Sequence, residues 1–300
     1  MTVTPRTTGH APRALGVNTW VWTSPLTDAA LERLAPRIAA WGFDVIELPV
    51  ENPGDFDADR AARLLESLGL TATVTLVMGD GRELVAADLA TVATTQDYLR
   101  RVVDTAATVG SPVIAGPAYA SVGRTWRMDD QARRDCYAQL VEGLAPVAAH
   151  AAATGVHIAV EPLNRYETSL INTVDQALAA LEGLDPTVVG LALDVYHMNI
   201  EEVDVPAAIR RAAGRIDHVQ VCANDRGAPG RDHLDWPEIL RALDDAQYPG
   251  PLVIESFTGD NATIATAASI WRPLAPSQDA LATTGLEFLR GALAGPRTDT

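Results

Sequence analysis

The sequence predicts one α/β domain, a single (β/α)8 TIM barrel, and three observations support this. Eight short apolar runs, many of them rich in β-branched residues, alternate with amphipathic stretches along a chain of 300 residues. No G-x-G-x-x-G turn follows the first run, although a doubly wound open sheet usually has one. No linker or low-complexity segment divides the chain. Eight strand–helix repeats in this length are typical of a barrel.

The eight strands are expected, in order, within residues 14–22, 43–50, 70–79, 111–117, 155–164, 188–197, 217–225 and 250–257. Helical spacing of apolar residues is clear between them, for example over 26–42 and 132–155. Gly155 stands where a glycine usually ends a helix. We therefore expect the barrel to span 14–300, preceded by a polar N-terminal tail over 1–13.

Composition limits the classes of function. A formal net charge of −16 with no local basic patch disfavours nucleic acid and anionic membranes as partners. No window holds 18 consecutive apolar residues, and the N-terminus lacks the apolar segment of a secretory signal. Two cysteines, Cys136 and Cys222, do not form a disulfide framework. We expect a cytoplasmic protein.

Lysine is absent, so all 23 basic residues are arginine. This excludes Schiff-base chemistry, pyridoxal phosphate attachment and the lysine of a phosphate-binding P-loop. Because no phosphate cradle is apparent either, an unphosphorylated small molecule is the favoured substrate.

Strands five to eight each direct a polar residue into the barrel near its C-terminal end, where active sites of such barrels lie. Ile158 and Val160, for instance, face outward and Glu161 inward. The inward residues are Glu161, Asp194, His218 with Gln220, and Glu255. Carboxylates that converge in a barrel without a counter-charge are costly to bury. A divalent cation is the expected partner, and oxygen donors suit Mn²⁺ or Mg²⁺.

Several longer motifs resemble a known family. They are EPLNRYETSLINT (161–173), LDVYHMNIEE (193–202), NDRGAPG (224–230), VIESF (253–257) and IWRPLAPSQDAL (270–281), with GVNTWVWTSP (16–25) and AYASVGR (118–124) extending the match. The chain is similar to the xylose-isomerase-like barrels of sugar isomerases and epimerases, and within them to the D-tagatose/D-allulose (ketose) 3-epimerases.

The resemblance implies a metal-dependent isomerase that epimerises C3 of a ketose by proton transfer through an enediolate. It implies that Glu161, Asp194, a strand-seven residue and Glu255 bind one divalent metal. Glu161 and Glu255 would also exchange the C3 proton. The substrate would be held by Glu167, His197 and Arg226. The expected partners are a small-molecule sugar and further copies of the chain, in a dimer or tetramer.

One position departs from the family pattern. Strand seven of the family usually carries H-x-H, with the second histidine as a ligand, whereas this chain reads DHVQV and places Gln220 there. His218 faces the same way one layer deeper. Glutamine can bind through its amide oxygen, and as a harder ligand it should favour Mn²⁺ or Mg²⁺ over Co²⁺. The predicted metal ligands are therefore Glu161, Asp194, Gln220 and Glu255.

Gln220 leaves alternatives open. The same metal site could serve a lyase on a keto-sugar, of the dehydratase or C-glycoside-cleaving type, or the barrel could bind sugar without catalysis. An endonuclease-type hydrolase needs several metal-binding histidines, and only His197, His218 and His233 are expected at the C-terminal end. Around the site, Asn164 and Arg165 are expected to order their loop, with Arg165 paired to a carboxylate. Trp20, Glu47 and Glu51 are weaker candidates for the mouth.

Overall fold

The computed structural model describes residues 13–295 and shows a closed barrel of eight parallel strands that pair in chain order, β8 closing against β1. The strands are β1 (Leu15–Asn18), β2 (Val45–Val50), β3 (Thr71–Leu76), β4 (Val113–Gly116), β5 (His157–Val160), β6 (Val189–Asp194), β7 (Ile216–Val221) and β8 (Leu252–Ile254). Each predicted run contains or overlaps one strand, so the barrel prediction is confirmed.

The helices form the outer layer. They are α1 (Asp28–Trp41), α2 (Ala58–Leu68), α3 (Leu89–Val109), α4 (Asp130–Thr154), α5 (Val174–Ala180), α6 (Val195–Glu201), α7 (Val205–Arg211), α8 (Trp236–Asp245), α9 (Ala262–Ala267) and α10 (Gln278–Leu293), with a short 3-10 helix at Thr19–Val21. As predicted, α4 ends at Gly155, which caps it in the left-handed conformation at φ 74°.

The strands separate the hydrophobic core beneath the helices from the interior of the barrel. Outward-facing side chains such as Ile158, Val160 and Leu191 pack with the helices in the main hydrophobic core. Inside the barrel, by contrast, small apolar residues fill the middle, in a buried cluster of Val113, Ala115, Ala159 and Ala192. The predicted alternation is therefore confirmed.

The predicted tail over 1–13 lies outside the described residues except for Arg13. That side chain donates to Asp244 Oδ1 at 2.7 Å and to the backbone carbonyl of Tyr248, which attaches the start of the barrel to the segment before β8. None of the helices within residues 13–295 has the length and apolar character needed to cross a membrane.

Gly16 in β1 provides a test of the packing between neighbouring strands. A Cβ there would lie 2.9 Å from Val45 Cβ, closer than real contacts allow, and 3.1 Å from Val253 Cγ2, which is tighter than most. We expect Gly16→Ala to destabilise the protein by roughly 1–3 kcal/mol in urea unfolding. Gly291→Ala is the matched control, since its Cβ meets open space in α10. It should leave stability unchanged or raise it, and equal losses in both variants would contradict this packing.

Candidate active site

A pocket of about 590 Å³, including its open mouth, lies at the C-terminal end of the barrel. The charged and imidazole side chains that line it are Glu161, Glu167, His197, Arg226 and Glu255. The remaining lining is mainly apolar and includes Trp20, Phe257 and Ile264. The pocket therefore combines a polar group of residues from several strand ends with apolar walls.

Glu161, Asp194 and His197 form the closest group of candidate metal ligands. All three are buried, and one ligand atom from each lies within 4.8 Å of the others. Glu161 directly follows β5, Asp194 ends β6, and His197 lies in α6, the helix that begins right after β6. Since β5 and β6 pair in the sheet, the fold itself brings these groups together.

Burial affects the carboxyls most strongly. Burial raises the pKa of Glu161 well above its usual value, and the nearby charges of Glu255 and Asp194 raise it further. Burial likewise raises the pKa of Glu255 well above its usual value, although Arg226 acts in the opposite direction. The pKa of Asp194 is raised by the same desolvation, again opposed by Arg226. Three neighbouring acids of this kind can hold or exchange protons more readily than exposed carboxyls.

Arg226 supplies the counter-charge that the sequence argument took to be absent. Its Nη1 donates to Asp194 Oδ2 and, at 3.0 Å, to Glu255 Oε2. The guanidinium carbon lies 3.9 Å from the centre of the Tyr196 ring, so the guanidinium forms a cation–π contact with that ring. The backbone of Arg226 has φ 67°, unusual for a residue with a side chain. This turn places the Arg226 guanidinium between Asp194 and Glu255.

Both ring nitrogens of His197 face hydrogen-bond donors. The backbone N–H of Asn164 lies 3.0 Å from its Nδ1. Burial, with the Arg226 charge, holds the pKa of His197 well below its usual value, and the ring is neutral. Its Nε2 lies 3.0 Å from Arg226 Nη2, a nitrogen that can only donate, and 3.5 Å from Glu161 Oε1 and 3.6 Å from Asp194 Oδ2.

Gln220 lies beside this group, paired in register with Asp194 across β6 and β7. Its Nε2 donates to Glu47 Oε1 at 2.9 Å and to Glu255 Oε1 at 2.7 Å. Its Oε1 is buried and has no hydrogen-bond partner. An unpaired buried amide oxygen next to several carboxylates fits the donor set of a hard divalent cation. His218, the other inward residue of β7, lies 2.6 Å from Glu47 Oε2, deeper in the barrel.

The loop after Glu161 has the predicted organisation. Asn164 Nδ2 donates to Glu167 Oε1 at 2.7 Å, which holds that carboxylate at the pocket wall. Burial raises the pKa of Glu167, with the Arg226 charge opposing it. Arg165 points away and pairs with Glu201 at 2.9 Å. The expected pairing of Arg165 with a carboxylate is therefore present, and Glu167 lines the pocket.

Sequence reasoning missed some residues around the site. Glu47 does not line the mouth but is fully buried inside the barrel. Phe257 lines the pocket and packs on Trp20, with ring centres 5.4 Å apart. Trp20 lines the pocket, and its Nε1 donates to Glu51 Oε1 at 2.9 Å. The available sequence signal for Phe257 was its position, two residues after Glu255 on the segment that follows β8.

The family model for the xylose isomerase-like TIM barrel matches residues 35–291. The chain therefore belongs to this family. A probable ketose 3-epimerase of Synechocystis sp. is 34% identical over 275 residues, which are 92% of this chain and 95% of that protein. An L-ribulose 3-epimerase of Mesorhizobium japonicum is 33% identical over 278 residues, covering 92% of each chain.

Among solved structures, a D-allulose 3-epimerase from Methylomonas sp. in complex with D-allulose superposes with a TM-score of 0.86. It is 29% identical, and the match covers 94% of this chain and 98% of that one. These relatives confirm the resemblance to ketose 3-epimerases and the isomerase class expected from the motifs. They do not favour the lyase alternative.

Arg226 generates a stability prediction. Removing it would leave buried Asp194 and Glu255 without their counter-charge, so Arg226→Gln should destabilise the metal-free protein by roughly 3–5 kcal/mol. Urea unfolding in the presence of a chelator measures this. Arg272→Gln is the control, because Arg272 forms an exposed pair with Asp225 and should contribute little. Equal stability of the Arg226 variant and the parent protein would show that the guanidinium does not compensate these acids.

Proposed function

We propose that this protein is a divalent-metal-dependent ketose 3-epimerase acting on an unphosphorylated sugar. The observation that carries the proposal is the pair of buried carboxyls, Glu161 and Glu255, which line one pocket and have raised pKa values. They follow β5 and β8, which are three strands apart in the barrel, so they reach the pocket from different sides. The names of the relatives support the same activity.

Epimerisation at C3 needs a proton removed from one face of the carbon and a proton returned to the other. Glu161 takes the proton in one direction of the reaction and Glu255 in the other, with an enediolate between the two transfers. Acids with raised pKa values exchange protons near neutral pH more readily than ordinary carboxyls do. The bound metal would polarise the sugar carbonyl and so make the C3 proton more acidic.

The other polar residues hold the sugar. His197 binds a substrate hydroxyl through Nε2. Arg226 is a second donor and also balances the charges of the acids when the pocket is empty of sugar. Glu167, fixed by Asn164, accepts a hydrogen bond from a sugar hydroxyl. Together they orient the ketose so that C3 lies between the two catalytic carboxyls.

The proposed metal ligands are Glu161, Asp194, Gln220 through its Oε1, and Glu255. All four donors are oxygens, which favours Mn²⁺ or Mg²⁺ over Co²⁺. Arg226 is the single basic side chain among the described residues that line the pocket, and it is engaged with Asp194 and Glu255. This supports a neutral sugar over a sugar phosphate.

We also propose that the enzyme is cytoplasmic and has no nucleic-acid or membrane partner, because its composition and net charge disfavour both. We expect it to assemble into a dimer or tetramer, which light scattering at several protein concentrations tests.

Turnover in D₂O tests the proton transfer. The 3-epimer of the ketose should carry deuterium at C3, measured by NMR or mass spectrometry across a panel including ribulose and allulose. Glu161→Gln and Glu255→Gln should each lower kcat by roughly 10²–10⁴-fold because each removes an acid–base group. Arg165→Gln, in the same loop but facing away, is the control. Product without label at C3 would argue against exchange through these carboxyls.

Gln220→His tests the metal site. Imidazole binds first-row metals more tightly than a neutral amide oxygen, so this variant should bind metal more tightly and shift its preference toward Co²⁺. Titration calorimetry with Mn²⁺ and Co²⁺ measures both effects after chelation. If the metal preference does not change, Gln220 is not a ligand. If the variant binds metal better yet no longer epimerises ketoses, a different reaction is indicated.

A further inference from the structure

The interior of the barrel holds a buried polar group beneath the proposed metal site, and Glu47 is at its centre. Glu47 is fully buried and pairs in register with Asn18 on β1 and with Thr73 on β3. Asn18 Nδ2 donates to its Oε1 at 2.9 Å, and Thr73 Oγ1 donates to its Oε2 at 3.1 Å. With Gln220 on Oε1 and His218 beside Oε2, each carboxylate oxygen faces two polar partners.

This arrangement holds Glu47 in one position. Three hydrogen bonds and the close contact with His218 Nε2 therefore surround both carboxylate oxygens. Glu47 therefore has no free position for a metal or a substrate. Glu47 can influence the proposed metal site only through neighbouring side chains such as Gln220.

The contact that reaches the site is the one to Gln220. Both hydrogens of the Gln220 amide are used, one by Glu47 and one by Glu255. Rotating the amide by half a turn would place its oxygen against these two carboxylate oxygens, which repel it. The amide is thus held in one orientation, with Nε2 toward the acids and Oε1 unpaired. An amide nitrogen does not ligate a metal, so this orientation decides whether Gln220 can be a ligand.

We propose that Glu47 is a positioning residue that makes Gln220 an oxygen donor. It binds the Gln220 nitrogen and so leaves the oxygen free for the cation. Glu255 contacts the same nitrogen, but it is itself a proposed ligand, whereas Glu47 is committed to protein donors. This inference rests on the proposed metal site and adds the residue that determines which atom of Gln220 takes part in it.

Glu47→Gln tests the inference directly. The substituted amide can donate to Gln220 Oε1 and so allow Gln220 to turn its nitrogen toward the site. Titration calorimetry with Mn²⁺ on the full-length protein should show the Kd rising about 10–100-fold, as is usual when a residue that orients a metal ligand is lost. Thr73→Val removes one donor to Glu47 but leaves its contact with Gln220, and should change the Kd by less than about two-fold.

A double-mutant cycle separates positioning from a general effect on the fold or the charge. Gln220→Met removes the amide, and in that background Glu47→Gln should cause almost no further loss of Mn²⁺ affinity, because its route of action is gone. An equal loss in both backgrounds overturns the inference. So does an unchanged Kd in Glu47→Gln. If Glu47→Gln does not fold, Glu47→Asp serves in the same cycle, since its shorter side chain withdraws from Gln220 but keeps a charge near His218.

Mn²⁺ binding by the parent protein distinguishes a failure of the metal site from a failure of the positioning role of Glu47. If it binds no Mn²⁺, the proposed metal site fails and this inference fails with it. If it binds Mn²⁺ and Glu47→Gln binds equally well, the metal site stands and only the positioning role of Glu47 is overturned.

Discussion

Burial of several carboxylates inside one end of a barrel is the constraint on which this site depends. Glu47, Glu161, Asp194 and Glu255 are all nearly inaccessible to solvent, and each would be costly to bury alone. The structure compensates them in two layers. The lower layer, around Glu47, is closed by protein donors. The upper layer, around Asp194 and Glu255, relies on Arg226 and retains an unpaired amide oxygen.

The division between these layers has a functional consequence. A carboxylate that several protein groups surround is held in place, whereas an unpaired buried amide oxygen can accept a cation. Glu161 and Glu255 belong to the upper layer, to which the proposed proton transfer is assigned. The Glu47 layer belongs to the scaffold, and it reaches the upper layer through the Gln220 amide.

Much of this was predictable from the sequence. The alternation of apolar runs and amphipathic stretches identified all eight strands, and the period of two along β5 to β8 identified which residues face inward. Two features were not predictable in the same way. The counter-charge role of Arg226 depends on a left-handed turn and on stacking over Tyr196, neither of which has a local periodic pattern. Glu47 contacts Gln220 across 173 positions of sequence, and only the closed barrel brings them together.

The central claim is that the acids and Gln220 Oε1 together form one metal site, and crystallography tests it most directly. Crystals grown with Mn²⁺ and measured at the manganese absorption edge should show one strong anomalous peak. It should be coordinated by Glu161, Asp194, Glu255 and the oxygen of Gln220, with the Gln220 nitrogen still bound to Glu47. No peak at this position, or a peak coordinated by His218 in place of Gln220, would contradict the account.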